Sequence, residues 1–212
     1  MAIWQERVAA MKHSGEFDIR FKPDPGIWDE DPANIEEELA SEPGMGEVHI
    51  LDDMRDFYRA ANGFYLYWVG EGDADTDSKA AARGHAWLEH LSYLYEPAER
   101  REREKRFIPY SSLYEDYRAF DRIDGEHQVD LRFYRDRQEP EFYYTKDKRT
   151  YHLLSLDFAT YMDLLLEARG LMHWQRFFIV APDARITPDW AEWFHANLRR
   201  LFPDADASRF RR

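Results

Sequence analysis

Hydrophobic residues recur along the chain with two periods, and several segments follow the helical one. A spacing of three to four residues places apolar side chains on one face of a helix. This spacing predicts helices over residues 3–12, 35–39, 51–61, 155–169 and 188–202. Asn62-Gly63 ends the third helix, because both residues tolerate the left-handed backbone of a C-cap. Ser155 is the predicted cap of the fourth helix, and Thr187-Pro188 starts the fifth.

Other segments alternate strictly, which is the period of a half-buried strand. Phe64, Leu66 and Trp68 alternate with Tyr65 and Tyr67. Strands are also predicted over residues 129–134, 142–144, 151–154 and 175–180, and a strand or a short apolar turn over 86–91. Glu139-Pro140 and residues 146–149 are turn signals, and connections this short exclude crossover helices. The pattern therefore predicts an α+β fold whose sheet is largely antiparallel, with a meander in its second half and packed helices.

Three polar segments connect or follow these elements. Breakers at Pro23, Pro25, Gly26 and Pro32 predict a loop between the first two helices. Residues 96–106 carry opposite charges three and four residues apart, which is typical of an exposed helix with ion pairs. Residues 204–212 are predicted to form a loose tail.

Composition narrows the classes of function. The 212 residues carry a formal net charge of -13, which argues against a nucleic-acid binder and against docking on an anionic membrane. The charge suits a cationic protein partner, or serves solubility alone. The chain has no cysteine, so disulfides, thiolate zinc sites and a cysteine nucleophile are excluded. Residues 1–13 predict a helix rather than a signal peptide, and we expect a cytoplasmic protein.

Candidate metal ligands have unfavourable spacings. His85 and His90 are five residues apart with Glu89 between them, so they do not share a helix face. Asp73, Asp75 and Asp77 resemble the start of an EF-hand loop, but Ser78 and Gly84 occupy the positions that need glycine and glutamate. We therefore predict no metal and no cofactor. The three aspartates form either a solvated loop or an acidic patch that meets a basic partner.

Tyrosines on the predicted strands suggest a binding surface. Tyr65, Tyr67, Tyr134 and Tyr143 fall on the strand faces opposite the predicted core. Exposed, they would be suitable anchors for a protein partner. The alternative is a second layer of helices that covers this face. No arrangement of carboxylates or nucleophiles marks a catalytic centre, so we predict a protein that is not an enzyme.

The order of motifs resembles the SUKH superfamily, which has the Smi–Knr fold. The helix that ends in Phe57–Gly63 leads directly into the strand with Trp68. A later strand covers 129–134, and residues 151–158 lead into the helix with Tyr161. The resemblance covers residues 48–179. Phe64 departs from it, because the family often has a second glycine there, and so does the charged insertion between the early and late strands.

The resemblance implies both an architecture and a role. It implies an α+β domain in which Asn62, Gly63 and Trp68 are fold residues. We expect residues 1–212 to form one SUKH-like domain, with the helical segment 1–47 and the helix 187–202 packed on the core. Many bacterial members are similar to immunity proteins, so the chain is expected to bind a cognate polymorphic toxin domain and occlude its active site. The alternatives are a regulatory or scaffold interaction protein, or a hydrolase that uses carboxylates.

Overall fold

A single antiparallel sheet organises the molecule. The computed structural model describes residues 1–41, 48–70, 82–95, 117–135, 137–182 and 186–211. Within these ranges the sheet has seven strands in the order β1 to β7, each antiparallel to its neighbours. The predicted α+β class is confirmed, and the meander runs through the whole sheet. The strands are β1 (Phe17–Pro23), β2 (Phe64–Gly70), β3 (Arg83–Leu88), β4 (Tyr117–Arg122), β5 (His127–Tyr134), β6 (Arg137–Lys146) and β7 (Thr150–Leu153).

Helices precede, interrupt and follow the strands. In the same ranges they are α1 (Ala2–Ser14), α2 (Asp31–Ala40), α3 (Asp52–Ala60), α4 (Leu91–Leu94), α5 (Phe158–Ala168) and α6 (Pro188–Leu201). The Thr187 side chain caps α6 as predicted. The predicted cap of α5 is wrong by two residues, because the Asp157 side chain, rather than Ser155, accepts the Thr160 N–H. The Ser155 N–H instead bonds the Phe178 carbonyl.

One face of the sheet carries the core. Phe64, Leu66 and Trp68 of β2 are fully buried on this face. Trp4 of α1 lies 5.0 Å from Phe64, measured between ring centroids. Tyr161 of α5 lies 5.2 Å from Phe120 of β4. Aromatic side chains from both ends of the chain therefore cover the same side of the sheet.

The Asn62-Gly63 segment joins α3 to the sheet. Gly63 has φ +87°, and a Cβ atom there would stand 2.4 Å from the Leu88 carbonyl oxygen. Only glycine accommodates both the backbone conformation and the close approach. The Asn62 side chain accepts the Leu91 N–H at 2.9 Å, which links the end of α3 to the start of α4.

The predicted loop before α2 is wrong in its first part. Residues 17–23 form β1, which pairs with β2 at the edge of the sheet. Its burial alternates along the strand, with Phe17, Ile19 and Phe21 half-buried. The prolines predict a loop, but Pro23 is the last residue of β1, and an edge strand tolerates proline at that position.

Two predictions in the second half are also wrong. Glu139-Pro140 is not a turn, because both residues lie inside β6. The β5–β6 register shifts between Arg132 and Tyr134, and this irregularity accommodates a proline without an N–H. The predicted strand 175–180 is instead a 3-10 turn over Trp174–Phe178, followed by a single bridge at Ile179. A short buried apolar run is compatible with either structure.

Residues 204–211 pack on the fold, contrary to the predicted loose tail. The Phe210 side chain is fully buried, 5.2 Å from the Phe194 ring. The Phe210 carbonyl accepts a hydrogen bond from His195 Nε2 at 2.6 Å. Phe210 is surrounded by polar residues in the sequence, so no hydrophobic pattern predicts that its ring is buried.

Several predictions fall outside the described residues. The charged helix over 96–106 and the loop with Asp73, Asp75 and Asp77 both lie there. Among the helices that the structure describes, none is long and apolar enough to cross a bilayer.

Candidate functional site

The sheet face opposite the core carries a group of half-exposed aromatic rings. Tyr65 pairs with Trp87, and Tyr67 pairs with His85, across β2 and β3. The Tyr65 ring lies 5.3 Å from His85 and 6.3 Å from Trp87, both edge to face. Trp87 keeps 46% of its surface exposed. We call this side of the sheet the open face; α1, α3 and α5 pack their aromatic rings on the other side.

Strand alternation explains why these rings point outward. On β2, Phe64 and Leu66 alternate with Tyr65 and are fully buried. A one-residue shift in register would bury the tyrosines and expose the core. Arg122 of β4 adds a cation 5.4 Å from the centre of the Trp87 ring and pairs with the Glu89 carboxylate. The surface is therefore held on strands with little freedom to rearrange.

Tyr134 and Tyr143 occupy another part of the open face and have partners of their own. Their hydroxyls lie 3.0 Å apart, and both bond Glu141, at 2.7 and 2.6 Å. Arg137 also pairs with Glu141. This closed set of hydrogen bonds makes Tyr134 and Tyr143 less available to a partner than Trp87.

A groove of about 870 Å³ runs from the Trp87 group to the turn between β4 and β5. Its lining combines the aromatic group with three basic and three acidic side chains, so the charges balance. The charged lining residues are Arg122, Lys146, Lys148, Asp124, Glu126 and Asp147.

A buried carboxylate supports Trp87 from inside the fold. Asp121 Oδ1 accepts the Trp87 N–H at 3.1 Å, and Oδ2 accepts the Tyr161 hydroxyl at 2.7 Å and the Gln175 amide at 3.3 Å. Burial raises the pKa of Asp121. These bonds tie β3 to α5, so the role of Asp121 that they support is structural.

A second cluster lies where the groove meets the β4–β5 turn. Asp124, His127 and His173 each place one ligand-type atom within 4.8 Å of the others. His127 Nδ1 lies 2.9 Å from Asp124 Oδ2, and His173 Nε2 lies 3.7 Å from the same oxygen. The backbone N–H groups of Glu126 and His127 donate to Asp124 Oδ1 at 2.7 and 2.6 Å. The turn thus fixes Oδ1, which also lies 3.0 Å from His127 Nδ1, while Oδ2 faces both imidazoles.

Burial and neighbouring groups set the protonation of this cluster. Burial, followed by the adjacent His127 ring, lowers the pKa of His173 from 6.5 to about 4. Burial opposes ionisation of Asp124, but hydrogen bonds from the His127 ring and backbone outweigh it and lower the pKa of that carboxyl. Near neutral pH the cluster holds a carboxylate and a neutral imidazole at His173.

The structure separates the histidines considered in the sequence. His85 lies on the open face against Tyr65, whereas His90 bonds the Asp24 carboxylate at 3.1 Å before α4. The cluster with His173 was missed because its members come from distant segments. The only local signal was Asp124 three residues before His127, around the Asp124-Gly125 turn.

Comparisons with protein-family models, curated proteins and solved structures gave no match to this chain. Its function is therefore argued from the residues of the open face and the groove.

Proposed function

We propose that the chain is a cytoplasmic protein-binding module of SUKH type that acts as an immunity protein. In this role it binds a cationic toxin domain through the open face and occludes the toxin's active site, without catalysis of its own. The observation that carries the proposal is the half-exposed Trp87 on a rigid strand, with Tyr65 packed edge to face against it.

Aromatic residues in such positions are effective binding anchors. A tryptophan buries a large apolar surface and loses little conformational freedom when its neighbours already hold it. Tyr65 and Arg122 contact the Trp87 ring from two sides. Because β2 and β3 are paired along their length, a partner meets a preformed surface rather than one that must order on binding.

Charge supports a cationic partner at long range. A net charge of -13 accelerates encounter with a basic protein, and salt screens this attraction. The balanced charges of the groove act at short range instead. Lys146 and Asp124 offer opposite charges at one end of the groove and select a partner with matching groups.

The resemblance noted in the sequence supports the SUKH assignment. The α3 helix ends at Asn62-Gly63 and is followed at once by β2 with the buried Trp68, and Asp157 caps the helix that carries Tyr161. This order of elements agrees with the α+β arrangement that the resemblance implies.

The test begins with capture of partners from the native host by the tagged wild-type protein, at low and high salt. We expect one stoichiometric protein with a toxin domain, recovered less at high salt. Expression of that domain alone is expected to arrest growth, and co-expression of the wild-type chain is expected to restore it. Several substoichiometric partners, none of them toxic, would favour the regulatory alternative.

Two tryptophan variants localise the interaction. Trp87→Ala is expected to lose growth rescue while remaining folded. Trp28→Ala is the matched control. Trp28 is 78% exposed, and the preceding Ile27 N–H bonds the Tyr58 carbonyl of α3, the helix that packs on the side of the sheet opposite the open face. Rescue by Trp87→Ala equal to that of the wild type would exclude the open face as the binding surface.

A further inference from the structure

We propose that Asp124, His127 and His173 form a binding site for one zinc ion. Asp124 lies in the β4–β5 turn, His127 is the first residue of β5, and His173 comes from the distant loop before Trp174–Phe178. Imidazole nitrogens and a carboxylate oxygen are common protein ligands of zinc. The proposal is independent of the partner-binding function.

The distances suit a single small ion. Two ligands of a tetrahedral zinc ion, with bonds of about 2.0–2.1 Å, stand about 3.3 Å apart. The distances from Asp124 Oδ2 to the two imidazole nitrogens, 2.9 and 3.7 Å, bracket this separation. The ligand nitrogens of the two histidines lie within 4.8 Å of each other, so side-chain rotation must complete the approach of the three atoms to one centre.

Neighbouring groups already orient two of the ligands. Asp124 Oδ1 is held by two backbone N–H groups, which leaves Oδ2 directed at the histidines. His173 Nδ1 lies 3.2 Å from the Tyr144 hydroxyl, so Nε2 faces the carboxylate. An outer hydrogen bond on the second ring nitrogen is the usual way in which proteins fix a metal-binding histidine.

The backbone at His173 also favours a specific role. His173 has φ +67°, in the left-handed region that non-glycine residues rarely occupy. This conformation turns its ring toward the β4–β5 turn, where it lies 4.6 Å from the His127 ring, measured between centroids. Residues in sparsely populated conformations cluster at functional sites.

The candidate ligands are partly accessible to solvent. Asp124 lines the groove, and the His127 and His173 side chains keep 19% and 21% of their surface exposed. Three protein ligands leave a coordination position for water or for a group of a bound molecule. The site therefore resembles an open zinc site rather than a closed structural one.

The test is calorimetric titration of the chelator-treated full chain with zinc chloride. We expect one zinc ion per chain, with a dissociation constant on the order of micromolar or tighter. Asp124→Asn keeps an acceptor for the turn, and His173→Asn tolerates the left-handed backbone. Each is expected to weaken zinc binding by about 100-fold, since even losing an outer partner of a ligand costs roughly 10–100-fold.

His90→Ala is the matched control, because His90 also pairs with a carboxylate, that of Asp24. It is expected to bind zinc as the wild type does, and circular dichroism checks that each variant is folded. Absence of a saturable one-to-one heat in the wild type would overturn the proposal. Equal affinity of folded Asp124→Asn and His173→Asn would do the same. Neither result bears on partner binding, since the titration contains no partner.

Discussion

Trp68 and Trp87 lie on adjacent strands but face opposite sides of the sheet. Trp68 is fully buried between Phe17 and Phe202, with ring-centroid distances of 5.3 and 5.4 Å. Trp87 is 46% exposed, with Tyr65 edge to face against its ring and Arg122 5.4 Å from the ring centre. Burial alternates from residue to residue along both strands. One face of the sheet therefore stabilises the fold, whereas the other keeps aromatic surface in contact with solvent.

Backbone and side-chain contacts enforce this difference. A Cβ atom on Gly84 would lie 2.0 Å from Trp68 Nε1, so the glycine leaves room for the indole. Trp68 Nε1 donates to the Arg169 carbonyl at 2.7 Å, which ties β2 to the end of α5. The Trp87 backbone N–H bonds Asp121, and its indole lies against Tyr65 and Arg122 on the open face. Its side chain is therefore available without disturbing the core.

Replacing the two tryptophans separately gives the largest contrast in stability. Trp68→Ala is expected to lower the free energy of unfolding by about 4–5 kcal/mol, because it leaves a cavity and an unpaired carbonyl. Trp87→Ala is expected to cost only about 1 kcal/mol. Urea denaturation of both variants measures this. Similar losses for the two variants would contradict the division between the faces.

Replacing Phe210 tests whether the C-terminal residues contribute to the core side of the sheet. Phe210→Ala is expected to cost about 3–4 kcal/mol, because the ring is fully buried against Phe194. Ile3→Ala, at a side chain that is 54% exposed, is the control and is expected to change little. Equal urea concentrations at the unfolding midpoint of the two variants would show that the Phe210 ring does not stabilise the fold.

Titration of the buried His173 is expected to make the free energy of unfolding depend on pH. Its pKa in the folded protein is about 4, below the ordinary 6.5, so the unfolded chain binds a proton first on acidification. In chelator-treated protein the wild type is expected to lose about 2–3 kcal/mol between pH 6.5 and pH 4. His173→Asn is expected to lack this part of the loss. Equal slopes of unfolding free energy against pH in both proteins would argue against a buried neutral imidazole.

The smallest expected effect is on the rate of association with the partner, and it comes from the loop with Asp73, Asp75 and Asp77. Asp73, Asp75 and Asp77 lie outside the described residues, and their role in steering stays a prediction. Their joint replacement by alanine is expected to slow association with the cationic partner severalfold at low salt and to leave dissociation unchanged. Stopped-flow mixing measures both rates. An unchanged association rate at low salt would remove the loop from the proposal.

Local patterns predicted much of the fold. Alternation located β2 and β5, and the Thr187-Pro188 pair located the start of α6. Such features depend on neighbouring residues, so they are visible in a sequence. β1 was not predicted, because edge strands admit prolines and charges that also occur in loops. Burial of Phe210 was not predicted, because one isolated apolar residue gives no hydrophobic periodicity.

The candidate sites depend on contacts between distant segments. The alternation of β2 placed Tyr65 and Tyr67 on the face opposite the core, but Trp87 was recognised only when β3 was paired with β2. His173 meets Asp124 because the loop before Trp174–Phe178 returns to the β4–β5 turn. Such a cluster has no sequence spacing by which it could have been predicted.

The most direct test of the proposed function is the equilibrium affinity of the captured toxin domain for three proteins: the wild type, Trp87→Ala and Trp28→Ala. If the open face is the binding surface, Trp87→Ala weakens binding by about 30-fold or more, as expected for a tryptophan hot spot worth about 2 kcal/mol. Trp28→Ala then binds as the wild type does. Unchanged affinity for a folded Trp87→Ala, or an equal loss in both variants, would contradict the account.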